Sequence, residues 1–187
     1  MYKIIEVDDE VRVPPSKFAL GLQEAVRHSL KNKWEGVIDK RLGIVLVVTE
    51  VKKTGEGKIY AGDGAIHYHV RFEVLVYRPE QNEIVTGSII DVTEFGCFLR
   101  LGPVDGMIHV SQLMDDFVSY DRKNSVFIGK ESKHKLKEGD TVRSRIISVS
   151  VSGREYKIGL TARQPNLGSL DWIKDTKDKS RRKAAKS

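Results

Sequence analysis

The chain has 187 residues, 40% hydrophobic and 31% charged, a balance that suits a folded protein of one large or two small domains. No apolar run approaches the roughly 20 residues that cross a bilayer. The start, Met1-Tyr2-Lys3-Ile4-Ile5-Glu6, lacks the long apolar stretch of a signal peptide, so a cytoplasmic protein without membrane contact is expected. The single cysteine, Cys97, excludes an internal disulfide, and no Cys-x-x-Cys pair offers a zinc site. The net charge of +6 is unevenly placed: residues 1–80 carry 13 Lys/Arg against 12 Asp/Glu, residues 81–170 carry 12 against 11, and residues 171–187 carry 7 against 3. The folded body is close to neutral, so a nucleic-acid role must rest on local patches rather than on the basic total.

In chain order, Tyr2–Val13 is strand-like and ends at Pro14-Pro15, whose missing amide donors cannot continue a ladder. Ser16 then fits a helix cap, with a helix expected from Lys17 to about Lys33 and Phe18, Leu22, Val26 and Leu30 as its apolar stripe. Trp34–Asp39 and Leu42–Lys53 read as strands, Thr54–Lys58 as a turn, and Ala61-Gly62-Asp63-Gly64 as a glycine loop. Leu42–Lys53 is apolar at both parities, as in a strand covered on both faces, either by another protein or by contact within the chain. From Ala65 to Arg78 the chain alternates, with Ile66, Tyr68, Val70, Phe72, Val74 and Val76 on one face. The polar break 79–83 sets an expected boundary between domains 1–80 and 81–170. Five short strands follow, at Ile84–Asp91, Gly96–Leu101, Asp105–Val110, Thr141–Ser150 and Tyr156–Thr161, as suits a small Greek-key barrel. Between the third and fourth lies a polar insertion, Met114–Lys135. Residues 171–187 form a basic tail expected to be disordered. The fold class expected is therefore α+β, one helix on an antiparallel sheet, followed by an all-β five-stranded barrel.

The segment Val85–Leu113 concentrates the chemistry. Gly87 opens a strand, Phe95-Gly96-Cys97-Phe98 brackets a turn, and Gly106 precedes Met107-Ile108-His109-Val110-Ser111. Leu136-Lys137-Glu138-Gly139-Asp140-Thr141-Val142 and Lys157-Ile158-Gly159-Leu160-Thr161 follow. In order and spacing over some 80 residues this resembles the RNA-binding OB domain named after the first protein of the small ribosomal subunit. The resemblance implies a binding face carrying Phe95, Phe98 and His109. Arg100, Arg143, Arg145 and Lys137 are candidate phosphate contacts, Arg143 and Arg145 sharing one strand face by alternation. Single-stranded nucleic acid is held by such aromatic faces with flanking cations, and sequence readout through stacking and phosphates is weak. Phe98 fits a barrel-core position equally well, and Cys97 reads as a small packed residue.

The first half narrows the choice. Tyr2-Lys3, Val11-Arg12-Val13-Pro14-Pro15, Glu35-Gly36, the Gly43–Val51 strand, Ala61-Gly62-Asp63-Gly64 and Tyr77-Arg78-Pro79, followed by the barrel, resemble the E-prime subunits of archaeal RNA polymerases, counterparts of the seventh subunit of the eukaryotic nuclear polymerases. The resemblance implies a non-catalytic stalk protein of DNA-directed RNA polymerase that forms a heterodimer with a small helical partner, the F protein of archaeal polymerases. It also implies an N-terminal tip docked on the polymerase core, with Pro14, Pro15, Gly62, Asp63 and Gly64 near the docking end, and a barrel that meets emerging single-stranded RNA. An exosome cap protein or a translation-associated factor is the alternative. Against them, no KH-type Gly-x-x-Gly loop or zinc ribbon follows the barrel, and the domain order is reversed relative to the translation factor. His67 and His69 share a strand face without a third ligand, and no phosphate loop or hydrolase motif is present, so neither an active site nor a cofactor is expected.

Overall fold

Alternation in one strand organises the first sheet. In a computed structural model that describes residues 1–153 and 155–174, the chain divides into two units, Met1–Arg78 and the chain from Pro79 onward. The basic tail from residue 175 lies outside the described residues. The first unit runs β1 (Tyr2–Val13), a 3-10 turn (Pro15–Lys17), α1 (Leu22–Trp34), β2 (Ile38–Asp39), β3 (Gly43–Lys58) and β4 (Ile66–Tyr77). Its sheet is antiparallel in the order β1-β4-β3-β2. Val70, Phe72, Val74 and Val76 of β4 are fully buried, and α1 packs Val26 and Leu30 into the same core. Trp34, in the last helical turn, meets Phe72 edge-on at 5.8 Å and donates its indole N–H to the Asp9 carboxylate at 2.9 Å. The expected helix on an antiparallel sheet is the arrangement found.

Three local expectations are corrected. The helix starts at Leu22 behind Gly21, which supplies no side-chain cap, rather than behind Ser16. Pro14 and Pro15 instead close a 3-10 turn, Lys17 N–H to Pro14 O at 3.0 Å and Phe18 N–H to Pro15 O at 3.1 Å, and an extended Gly21 separates it from the helix. Phe18, which precedes the helix, and Leu22, its first residue, are exposed, while Val26 and Leu30 are buried. Trp34–Asp39 is a strand only at Ile38–Asp39, because the helix continues to Trp34 and Gly36 takes a left-handed φ of +82°. Residues 54–58 belong to β3 rather than to a turn.

β3 also explains its own double-parity pattern. Its register against β4 shifts four times, at Val45/Val47, Val48/Glu50, Val51/Lys53 and Thr54/Gly57. Each bulge inserts one residue and reverses parity. Val45, Val48, Val51 and Thr54 therefore lie opposite Val76, Val74, Phe72 and Val70 on the same helix-covered face. Bulging thus gathers Val45, Val48 and Val51 on one face, whereas Ile44 and Val47, opposite Tyr77 and Leu75, form a short apolar patch on the other.

The second unit runs β5 (Ile84–Thr93), β6 (Gly96–Arg100), β7 (Asp105–His109), β8 (Val118–Asp121), β9 (Val126–Gly129), β10 (Lys135–Leu136), β11 (Thr141–Ser152), β12 (Glu155–Thr161) and β13 (Gly168–Ser169). Pairings β5–β6, β6–β7, β7–β12, β12–β11 and β11–β5 close a five-stranded barrel, and only β7–β12 is parallel. Ile89, Leu99, Ile108, Ile146 and Leu160 fill it. At Gly96 the strands approach so closely that a Cβ would collide with the Ile108 carbonyl oxygen. The insertion is more ordered than its polarity suggests. β8, β9 and β10 form an antiparallel sheet, and its Phe127 and Leu136 are fully buried in the same core as the barrel residues. Tyr120 packs on Phe127 at 5.1 Å and donates its hydroxyl to the Val92 carbonyl at 3.3 Å.

Candidate nucleic-acid interface

Alternate residues of β6 and β7 turn away from the barrel core. Cys97 and Leu99 point into that core, so Phe98 between them faces outward. Opposite it stands Met107, then Gly159 on β12, then Ser148 on β11. Gly159 leaves this row without a side chain at its centre, and a Cβ there would collide with the Ser148 hydroxyl. The result is a cleft of about 640 Å³ lined by Phe98, Met107, His109, Ile147, Tyr156 and Lys157, among others. That volume falls within the range of small-molecule sites, roughly 300–1,000 Å³.

The neighbouring positions complete the face. His109 lies opposite Gly96. Its Nδ1 accepts the Ser111 amide N–H at 3.3 Å and lies 2.9 Å from the Ser111 hydroxyl, an arrangement that assigns the ring proton to Nε2. Phe95, half exposed in the β5–β6 turn, is anchored where its carbonyl accepts the Val110 N–H at 2.8 Å. Arg100 lies opposite Asp105 and bonds its carboxylate at 3.1 Å, which holds the guanidinium pKa above its ordinary value. An exposed pair of this kind contributes little to stability, so the guanidinium can be drawn away from it at small cost.

The structure thus brings together Phe95, Phe98, Arg100 and His109. Arg145 stands opposite Thr161 on β12 and Ile84 on β5, with a solvent-inaccessible Nε that has no hydrogen-bond partner. Arg143 alternates outward as expected, but it stands between Thr86 of β5 and Gly168 of β13 rather than among the cleft-lining residues. Lys137 lines a separate depression with Asp121, Asp140 and Trp172. Sequence reading missed Met107, Tyr156, Lys157 and Gly159. Met107 alternates with buried Gly106 and Ile108, and Lys157 and Gly159 alternate with Ile158 and Leu160, so period-two counting reaches those three. Ile147 sits in the β11 bulge between Ile146 and Ser148, where counting fails. Cys97 is buried, and burial pushes its thiol up to about 12, so it offers no nucleophile.

In the first unit, the Pro14-Pro15 segment and the Gly62–Gly64 loop are neighbours: a Cβ on Gly64 would touch the Pro15 ring at 3.8 Å. Gly62 has a left-handed φ of +87°. Asp63 is engaged within its own unit, accepting from Arg12 at 2.7 and 2.8 Å, bonding the His67 ring at 3.0 Å, and accepting from the Ala65 amide at 3.1 Å. Those bonds, the Arg12 guanidinium foremost, hold its carboxyl well below the usual carboxylate range. His67 also bonds Glu10 at 2.9 Å. Among the described residues no three His, Cys, Asp or Glu side chains are placed to hold a metal, and no helix is long and apolar enough to cross a membrane.

Residues 8–64 match the SHS2 domain found in the N terminus of Rpb7p/Rpc25p/MJ0397, and residues 78–160 match the S1 RNA binding domain. Over 95% of its length the chain is 42% identical to DNA-directed RNA polymerase subunit Rpo7 of Saccharolobus solfataricus, covering 99% of that protein. The chain belongs to the Rpo7 family. The Rpo7 of Sulfolobus acidocaldarius is 38% identical over 92% of this chain and 95% of its own. A more distant relative, DNA-directed RNA polymerase III subunit RPC8 of Bos taurus, is 26% identical over 80% of this chain and 76% of its own. Within this Rpo7-family chain, Phe95, Phe98, Arg100 and His109 all fall inside the S1 match.

Proposed function

We propose that this Rpo7-family chain is a non-catalytic stalk component of a cytoplasmic DNA-directed RNA polymerase that binds emerging single-stranded RNA. The observation that carries the RNA reading is the outward row of Phe98 and Met107 beside His109, open over a cleft inside the S1 match. Exposed aromatic side chains bordered by cations are what unstacked bases require, and such contacts are tolerant of sequence. On this reading Phe95, Phe98 and His109 receive bases, and Arg100 with Lys157 receives phosphates. Arg145 serves at the margin, and Arg143 and Lys137 meet RNA only if the strand leaves the cleft. Residues 1–80 act as the docking domain, 81–170 as the RNA-binding domain and 171–187 as a basic tail.

The partners are a small helical polymerase protein, as a heterodimer, and the polymerase core. Pro14, Pro15, Gly62, Asp63 and Gly64 form the docking end, and the exposed Ile59 and Tyr60 that precede the loop supply apolar area for it. Tagged chain expressed in its native cell is expected to retrieve the small helical partner together with the large polymerase subunits. Ile59→Glu, at a position 72% exposed, is expected to keep the fold and lose the large subunits. Recovery of exosome ring proteins in their place overturns the reading.

A further inference from the structure

Phe117 is the most exposed large hydrophobic side chain among the described residues, at 74%. Its presentation is rigid. The Phe117 carbonyl accepts the Lys130 N–H at 2.9 Å, and the preceding Asp116 carboxylate accepts the Ser132 amide at 2.9 Å, the Ser132 hydroxyl at 2.7 Å and the Glu131 amide at 3.1 Å. An aromatic ring held out to water on a fixed backbone is preorganised for a flat partner. The ring borders a second cleft, about 420 Å³, whose other walls include Val110, Ser111, Asp115, Glu131 and Arg163. This cleft adjoins the first: Val110 donates to the Phe95 carbonyl, and Ser111 bonds the His109 ring.

The charges of the second cleft differ from those of the first. Asp115 holds Arg163 through one oxygen, Oδ1, at 2.7–2.8 Å, which leaves Oδ2 as an acceptor, and Glu131 is exposed beside it. Carboxylates repel a phosphate but accept hydrogen bonds from the edge of a base. Guanine presents two adjacent donors there, N1–H and the 2-amino group, whereas uracil presents one donor between two carbonyls. Unstacked RNA bases are read in this way, stacked on an aromatic ring and bonded along the Watson–Crick edge.

We propose that Phe117, Asp115 and Glu131 form a guanine-preferring base subsite that extends the RNA path beyond His109 onto the insertion. The proposal rests on RNA binding by the Phe98–His109 face, and it adds a sequence preference to a surface otherwise indifferent to sequence.

The test uses the full chain and fluorescein-labelled 12-nucleotide RNAs in anisotropy titrations: oligouridylate, and the same oligomer with one guanosine moved along it. One guanosine position is expected to bind about ten-fold more tightly than oligouridylate, the scale of a hydrogen bond to a charged acceptor. Phe117→Ala is expected to remove that gap and to weaken oligouridylate binding by no more than the few-fold share of one lost uracil stack, with the circular dichroism spectrum intact. A flat guanosine scan, or a gap that survives Phe117→Ala, overturns the subsite. If Phe117→Ala keeps the gap but loses the small helical partner on co-purification, the ring is a protein contact and the proposal falls. Failure of the underlying reading looks different: oligouridylate then does not bind, or binds Phe98→Ala as well as the parent.

Discussion

The two sheets dispose of their charged side chains in opposite ways. In the first unit charges pair with one another: Asp63 with Arg12 and His67, Arg71 with Asp8 and Glu6, Lys52 with Glu50 and Glu73, and Lys33 with Asp9. On the outer face of β6, β7 and β12 a single ion pair among the described residues, Arg100–Asp105, borders a row of aromatic and aliphatic side chains. A sheet with one helix on one side can commit its polar side to internal ion pairs. A closed barrel has filled its interior already, and outward aromatics such as Phe98 gain nothing from the core. They are the residues whose placement calls for a ligand, and neither the net charge nor the pI points to them.

The largest expected effect tests whether the insertion belongs to the barrel. Phe127→Ala empties a fully buried position and is expected to cost about 3–5 kcal/mol. Denaturant titration monitored at Trp172, beside the barrel core, would report it. A loss below about 1 kcal/mol, far under the usual range for such a truncation, would make the insertion an appendage. A smaller effect addresses the cations. Lys157→Ala is expected to lower the slope of log affinity against log salt by about 0.7, one phosphate contact to a single strand. The same substitution at Lys17, in the first unit, is expected to leave the slope unchanged, and equal changes would erase the contrast between the two units.

The smallest effect concerns pH. The folded pKa of Asp63 lies below its ordinary value of about 3.9. Its contribution to stability is therefore complete above that ordinary value and is lost as pH falls through the depressed one. Asp63→Asn is expected to reduce stability at neutral pH and to flatten the acid limb of the unfolding curve, without altering RNA affinity. An acid limb that keeps its slope would show that the Asp63–Arg12–His67 cluster does not couple to folding.

Much of this was legible in the residues because period-two alternation survives wherever strands are regular. β4, β5, β6 and β7 fall within a few residues of expectation, whereas Phe98 and His109 come from the resemblance to the RNA-binding domain, alternation alone leaving Phe98 open between core and surface. Alternation fails where a residue is inserted. The four bulges of β3 break the period-two count along that strand, and a bulge hid Ile147. Composition misled in the insertion, where polar turns outnumber the few residues, Met114 and Phe127 among them, that enter the core. Helix periodicity misled at Phe18 and Leu22, because a 3-10 turn and Gly21 precede the helix that their spacing suggests they begin. Face alone also says little about position along a strand: Arg143 and Arg145 share a face of β11, but the cleft takes its β11 residues from Ile147 onward.

The central claim is that the Phe98–His109 face holds single-stranded RNA by stacking. The direct measurement is the dissociation constant of the full chain for oligouridylate, set beside that of the Phe98→Ala/His109→Ala chain at one salt concentration. Stacking is worth about 1–3 kcal/mol per base, so affinity is expected to fall at least about ten-fold. The thermal midpoint is expected to change little, since neither side chain is part of the buried core. An unchanged dissociation constant in a folded double variant would contradict the account.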